Sequence, residues 1–210
     1  MATTEAQANR GKTDTPHAPK STHIGAKTSG GANFGAIAGA GAAGIALGVL
    51  AMIGRKAVVQ APTVMAGRWD QALAAEHKAV LKLFDAIEAT EDRATTKRSV
   101  LLAQMKHALA KHALQEENAI YPALRDAGMV EDADELNKEH GYVKQYLYEL
   151  ETMPNESPKF LETVRRFRSE IEDHMREEEQ ELFPQLASKL GEEKNKALTG
   201  MMNKEGFKLA

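Results

Sequence analysis

Two stretches of this chain are copies of each other, and they constrain its fold more than anything else in it. One runs His112-Ala113-Leu114-Gln115-Glu116-Glu117-Asn118-Ala119-Ile120-Tyr121-Pro122 and the other His174-Met175-Arg176-Glu177-Glu178-Glu179-Gln180-Glu181-Leu182-Phe183-Pro184. Both read H-x-x-x-E-E-x-x-aliphatic-aromatic-Pro. Residues four apart on a helix sit one above the other, so each copy points an imidazole and a carboxylate in one direction. A second matched pair lies upstream: Leu73-x-x-Glu76-His77-x-x-Val80-x-x-x-Phe84 and Leu136-x-x-Glu139-His140-x-x-Val143-x-x-x-Leu147. His77 and His140 are 63 residues apart, His112 and His174 62. Matched polar residues over so long a unit are hard to obtain by chance and predict two tandem αα-hairpins.

The apolar spacing supplies the helices. Leu73, His77, Val80, Phe84 and Ile87 follow a 4-3-4-3 pattern, as do Leu136, His140, Val143, Leu147 and Leu150. The first helix is expected from Asp70, read as its N-cap, to about Ala89. The second is expected over Thr95–Ala127, with Leu101, Met105, Ala108, His112, Glu116, Ala119 and Ala123 on one face and a kink at Pro122. The third is expected over Asp132–Thr152. The fourth is expected from Pro158, with Ser157 as its N-cap, to about Leu190, where Gly191 ends it, with a short fifth helix over Glu192–Met202. Amphipathic helices with short connections predict an all-α, up-down-up-down four-helix bundle.

The N-terminal part differs. Residues 1–33 are rich in Thr, Ser, Gly, Ala and Lys without hydrophobic period and are expected to be a disordered tail. Residues 34–54 hold no charged or polar side chain. At about 1.5 Å rise per residue that length spans the roughly 30 Å hydrocarbon core, and a single transmembrane helix is expected there in place of a flexible linker or cleaved signal peptide. The spacing of Gly35 from Gly39, and of Gly44 from Gly48, suits helix pairing and hence a homodimer. Arg55, Lys56 and Arg68 follow the segment, which favours a single-pass membrane protein with a cytoplasmic bundle. The expected order is tail 1–33, span 34–54, linker 55–67, bundle 68–190, and short helix and tail 191–210.

Composition narrows the chemistry. With no cysteine, disulfides, thiolate metal sites and Fe–S clusters are excluded. Residues 57–210 carry 21 basic against 28 acidic side chains, so no nucleic-acid partner is expected. Every core stripe is interrupted by polar groups: His77, His112 with Glu116, His140, and His174 with Glu178. Burying them without partners costs several kcal/mol per charge, so an internal polar network without metal is the weaker reading. Four imidazoles and two carboxylates suit iron, manganese or zinc. Two carboxylates shared among four nitrogens point to two metals, His77 and His112 on one, His140 and His174 on the other, with Glu116 and Glu178 bridging. No histidine has a Glu three residues before it, which disfavours the ferritin-like E-x-x-H arrangement. His107, about 140° round the helix from His112, is left out of the site, as are His17 and His23.

Over residues 68–190 the series H…HxxxE…H…HxxxE resembles the hemerythrin-like, HHE cation-binding family. The resemblance implies a non-haem di-iron centre, oxo- or hydroxo-bridged, in a four-helix bundle, with His77, His112, Glu116, His140, His174 and Glu178 as ligands. Lys144 stands where oxygen-carrying hemerythrins have a further His, and Glu178 lies four residues after His174 where they use an Asp at five. The chain is more similar to bacterial members with one His per helix, among them the iron-centre repair proteins, whose Cys-bearing N-terminal part is absent here. The implied ligand set leaves a position open on both irons. Glu117, Glu179 and Tyr121 are close enough in sequence to add ligands, though an outer or surface role suits them better. The expected function is handling of O2, NO or peroxide in sensing, storage or oxidative-stress defence. Peroxide decomposition, iron donation or centre repair, and a structural bundle with a metal staple remain open, as does whether the chain is an enzyme.

Overall fold

The computed structural model describes Gly54, Lys56 and residues 59–210. Among these the structure is all-helical. The elements are α1 (Trp69–Glu88), α2 (Thr95–Gln115), a π-helical turn (Glu116–Ile120), α3 (Tyr121–Asp126), α4 (Val130–Thr152), α5 (Pro158–Glu177), a second π-helical turn (Glu178–Leu182) and α6 (Phe183–Leu209). Contacts run α1–α2, α2–α4, α4–α5 and α5–α1, closing a four-helix ring. Leu73, His77, Val80, Phe84 and Ile87 are buried on α1 as their spacing requires. On α2 the buried face centres on Leu102, Met105, Leu109 and His112; Leu101 and Ala108 are only partly covered.

Some helix ends follow the expected local chemistry and others do not. Ser157 caps α5, accepting from the Lys159 N–H at 3.3 Å, with Pro158 at the first helical position. Gly128, at φ 83°, ends α3 in the left-handed region. Asp70 is not a cap: α1 begins at Trp69, and the Asp70 carboxylate is held by Arg68 at 2.8 Å.

Where a kink was expected at Pro122, the chain widens by one residue. Proline lacks the N–H an α-helix needs, and its ring strikes the carbonyl four residues back. The helix absorbs both with an i→i+5 turn: the Tyr121 N–H bonds the Glu116 carbonyl. The same happens before Pro184, where the Phe183 N–H bonds the Glu178 carbonyl. Glu116 and Glu178, the glutamates of the repeat, therefore open the two turns.

The apolar core is split in two. One cluster gathers Trp69, Leu73, Ile120, Leu124, Leu136 and Phe183 around the α3–α4 and α6 end. The other gathers Phe84, Met105, Leu150, Phe160, Phe167 and Ile171 at the opposite end. The polar residues of the repeat lie between them. Gly191, at φ 70° and ψ 177°, breaks α6, which continues to Leu209. Beyond the break Asn195 accepts from Trp69 Nε1 at 2.8 Å and donates to the Ala187 and Gly191 carbonyls at 2.7 Å. Residues 59–65, read from sequence as part of a linker, are helical, and Gln60 bonds Asn203 at 3.1 Å.

The membrane expectation is corrected. No helix among the described residues is long and apolar enough to cross a membrane, and residues 34–53 of the expected span lie outside the described residues. The single-pass localisation is not retained.

Candidate metal centre

All six expected site residues meet in the polar layer. α1 supplies His77, α2 His112, α4 His140 and α5 His174; the two π-helical turns supply Glu116 and Glu178. Each is at most 6% exposed. Donor atoms of His77, His112, Glu116 and Glu178 lie within 4.8 Å of one another, as do those of Glu116, His140 and His174.

The imidazoles turn their Nε2 atoms inward. His77 Nε2 and His112 Nε2 stand 2.9 Å apart; two nitrogens at right angles about one ion, each at about 2.1 Å, stand about 3 Å apart. Glu116 spans the two halves, with Oε1 3.1 Å from His112 Nε2 and Oε2 3.3 Å from His140 Nε2. Glu178 spans them the other way, its Oε2 3.4 Å from both His77 Nε2 and His174 Nε2. Although these are ion-pair distances, both Glu116 oxygens and Glu178 Oε2 lack a hydrogen-bond partner. Buried carboxylates in that state cost several kcal/mol, and a cation shared with the facing nitrogens removes the cost. The donor set fits metal.

A ring of outer carboxylates holds the imidazoles. His77 Nδ1 meets Glu179 at 2.8 Å, His112 Nδ1 meets Glu76 at 3.2 Å, His140 Nδ1 meets Glu117 at 3.0 Å and His174 Nδ1 meets Glu139 at 2.7 Å. Such a partner fixes the tautomer, leaving Nε2 for metal, and raises ligand basicity. The ring obeys the repeat: Glu76 and Glu139 serve the histidine of their own hairpin, Glu117 and Glu179 that of the other. Glu117 and Glu179 are thus outer partners. Glu76 and Glu139 had no role assigned from sequence, although each precedes a site histidine in both copies of the repeat. Glu76 also accepts from Thr63 at 2.6 Å and Lys111 at 2.5 Å, contacts that sequence spacing does not signal.

The charges follow. Burial alone would raise the Glu76 carboxyl, but the His112 hydrogen bond and the His112 and Lys111 charges bring it down to about 2. Burial would lower His140, yet the neighbouring Glu116 and Glu117 carboxylates lift it to about 9. Burial likewise opposes the charge of His112, and Glu116 and Glu76 overcome it, holding His112 well above its ordinary value.

The two halves are not identical. Tyr121 Oη lies 2.9 Å from His140 Nε2 and 3.4 Å from Glu178 Oε1; burial and the charges of Glu116 and Glu178 push its phenol well up. Phe183 holds the repeat position and stacks 6.4 Å from His77. His107 is exposed and outside the cluster; His17 and His23 lie outside the described residues.

The hemerythrin HHE cation-binding domain matches residues 70–186. The chain belongs to that family. Two curated proteins are similar to part of this chain. A protein described as a DNA nickase, from Nostoc, is 29% identical over 118 residues, 56% of this chain and 33% of its own length. An uncharacterised hemerythrin-like protein from Schizosaccharomyces pombe is 28% identical over 132 residues, 61% of this chain and 64% of its own length. The chain thus spans less than two thirds of either relative. No solved structure matches significantly. As an HHE domain the chain carries a cation-binding fold, and its buried His/Glu cluster can hold a metal.

Proposed function

We propose that this HHE protein is a non-haem di-iron protein that binds O2, NO or peroxide, for sensing, storage or detoxification. His77 and His112 would hold one iron and His140 and His174 the other, with Glu116 and Glu178 shared. One observation carries the reading: four Nε2 atoms converge on two buried carboxylates, three of whose four oxygens lack hydrogen-bond partners, while every Nδ1 is tied to an outer glutamate. Bound iron supplies the redox and ligand-binding chemistry. The chain fixes imidazole orientation, excludes water between two apolar clusters, and keeps a phenol at one half. Nitrogen and carboxylate donors without thiolate suit iron.

Peroxide decomposition is the second reading, favoured by Tyr121, whose O–H is placed beside His140 and Glu178 to donate a hydrogen bond to a reacting oxygen. DNA nicking, the description given to the Nostoc protein, does not extend to this chain in our reading, because the match covers a third of that protein and residues 57–210 are acidic.

The test is ferrous titration of metal-free protein, followed optically, and then addition of O2, NO or peroxide. Reversible spectral change indicates binding; gas evolution with turnover of peroxide indicates catalysis. An iron-loaded protein whose spectrum responds to none of the three would overturn both readings.

A further inference from the structure

The repeat gives each groove beside one half of the centre a counterpart beside the other, and the grooves differ. Between α2 and α4 runs a cleft of about 230 Å³ that reaches His140. Its walls include Leu109, Ala113, Val143 and Leu147. Across its mouth Lys106 pairs with Glu151 at 2.7 Å, and Lys144 with Glu117 at 3.2 Å. The counterpart seam lies between α5 and α1, beside His77. There Met175 takes the place of Ala113, Phe84 that of Leu147 and Arg168 that of Lys106. Met175 and Phe84 are buried, and Arg168 ties the seam to Asp85 at 2.8 Å and Glu88 at 3.2 Å. Larger side chains fill on one side what smaller ones leave open on the other.

The second pair of grooves repeats the contrast. A cleft of about 270 Å³ between α4 and α5 reaches His174. Its counterpart between α1 and α2 carries Pro62 and Thr63 over it, and the space of about 220 Å³ left there ends on Glu76, Val80 and Lys111 instead of a site histidine. Among the described residues, the His140–His174 half is the open one.

We propose that a small uncharged molecule of diatomic size reaches the centre from the His140–His174 half, through the α2–α4 cleft, with Ala113 keeping that way open. The proposal rests on the reading of the centre as a small-molecule site. Apolar walls admit uncharged molecules and penalise ions, which lose hydration there. The volume is below the usual range for drug-sized ligands, about 300–1,000 Å³. A molecule arriving by this route meets the half that carries the Tyr121 hydroxyl, whereas the closed half carries Phe183.

The test copies the closed seam onto the open one with Ala113→Met and Leu147→Phe, neither of which replaces one of the six site residues. Small apolar cavities take up xenon. Crystals of the metal-free protein under xenon are expected to show the atom against Ala113 and Val143, and to lose it in the double variant. Nitric oxide association with the ferrous protein, by stopped flow, is expected to slow by about tenfold at unchanged iron content. If the double variant fails to fold, Ala113→Leu alone fills the same space. Absence of xenon from the cleft in the unaltered protein overturns the proposal. So does unchanged nitric oxide association in a variant that has lost the xenon site. Failure of the ferrous protein to bind nitric oxide at all overturns the di-iron reading instead, and the xenon result still decides the cleft.

Discussion

Each site imidazole is caught between an outer and an inner carboxylate, and that double hold sets what single substitutions do. Outer partners orient a ligand and raise its basicity, and losing one typically costs about 10–100-fold in metal affinity. Glu76→Gln and Glu139→Gln are therefore expected to weaken iron binding by that order in competition with a chelator, with the helical circular dichroism unchanged. Glu116→Ala and Glu178→Ala remove a shared ligand and are expected to lose most of the paired-metal absorption. His107→Ala is expected to keep it. Protons compete for the same atoms. In the metal-free protein His140 is raised from 6.5 to about 9, so its contribution to stability is full below 6.5 and is lost as pH rises through about 9. Glu76 is lowered from 4.5 to about 2, so its contribution is full above 4.5 and is lost as pH falls toward 2. Thermal melting of the metal-free protein is expected to peak between about pH 4.5 and 6.5. Iron affinity is expected to rise from pH 6 toward 9 as protons leave the imidazoles.

At the scale of elements, the bundle is bolted at the end remote from the α3–α4 connection. Arg98 is fully buried, stacks 5.2 Å from the Phe160 ring, and donates to Thr90 Oγ1 at 2.8 Å and the Asn155 carbonyl at 2.5 Å. It thereby joins the α1–α2 connection to the α4–α5 connection. Arg98→Ala leaves these acceptors without a donor and opens a void, so a loss of about 3–5 kcal/mol is expected in urea unfolding, with iron content unchanged. The helices of the bundle were legible because His77, Val80 and Phe84 keep the period of a buried stripe. The π-helical turns were not. Proline signals that the α-ladder stops, but whether the chain bends or widens depends on what packs against it, here the cluster around Phe183 and Ile120. Arg98 itself was invisible, since an arginine beside Lys97 in the first turn of a helix looks solvated.

At the scale of the molecule, the repeat made the six-residue centre readable, and the structure adds the ring of Glu76, Glu117, Glu139 and Glu179 around it. What the repeat could not disclose is the difference between its halves. That difference arises from unrepeated residues: Tyr121 against Phe183, Ala113 against Met175, and Thr63 reaching in from outside the duplicated unit. The membrane reading came from an apolar window with its glycine spacing and flanking basic residues, and no described helix supports it. Ligands bound only by the native state stabilise it by mass action, so removing iron is expected to lower the melting temperature, and Glu116→Ala should abolish that difference. The most direct measurement is elemental analysis of the iron-loaded protein joined to X-ray absorption at the iron edge. About two irons per chain are expected, with nitrogen and oxygen neighbours and an iron–iron scattering path at roughly the 3.5–4 Å of paired-metal sites. One metal per chain, or two without an iron–iron path, would contradict a shared Glu116–Glu178 centre.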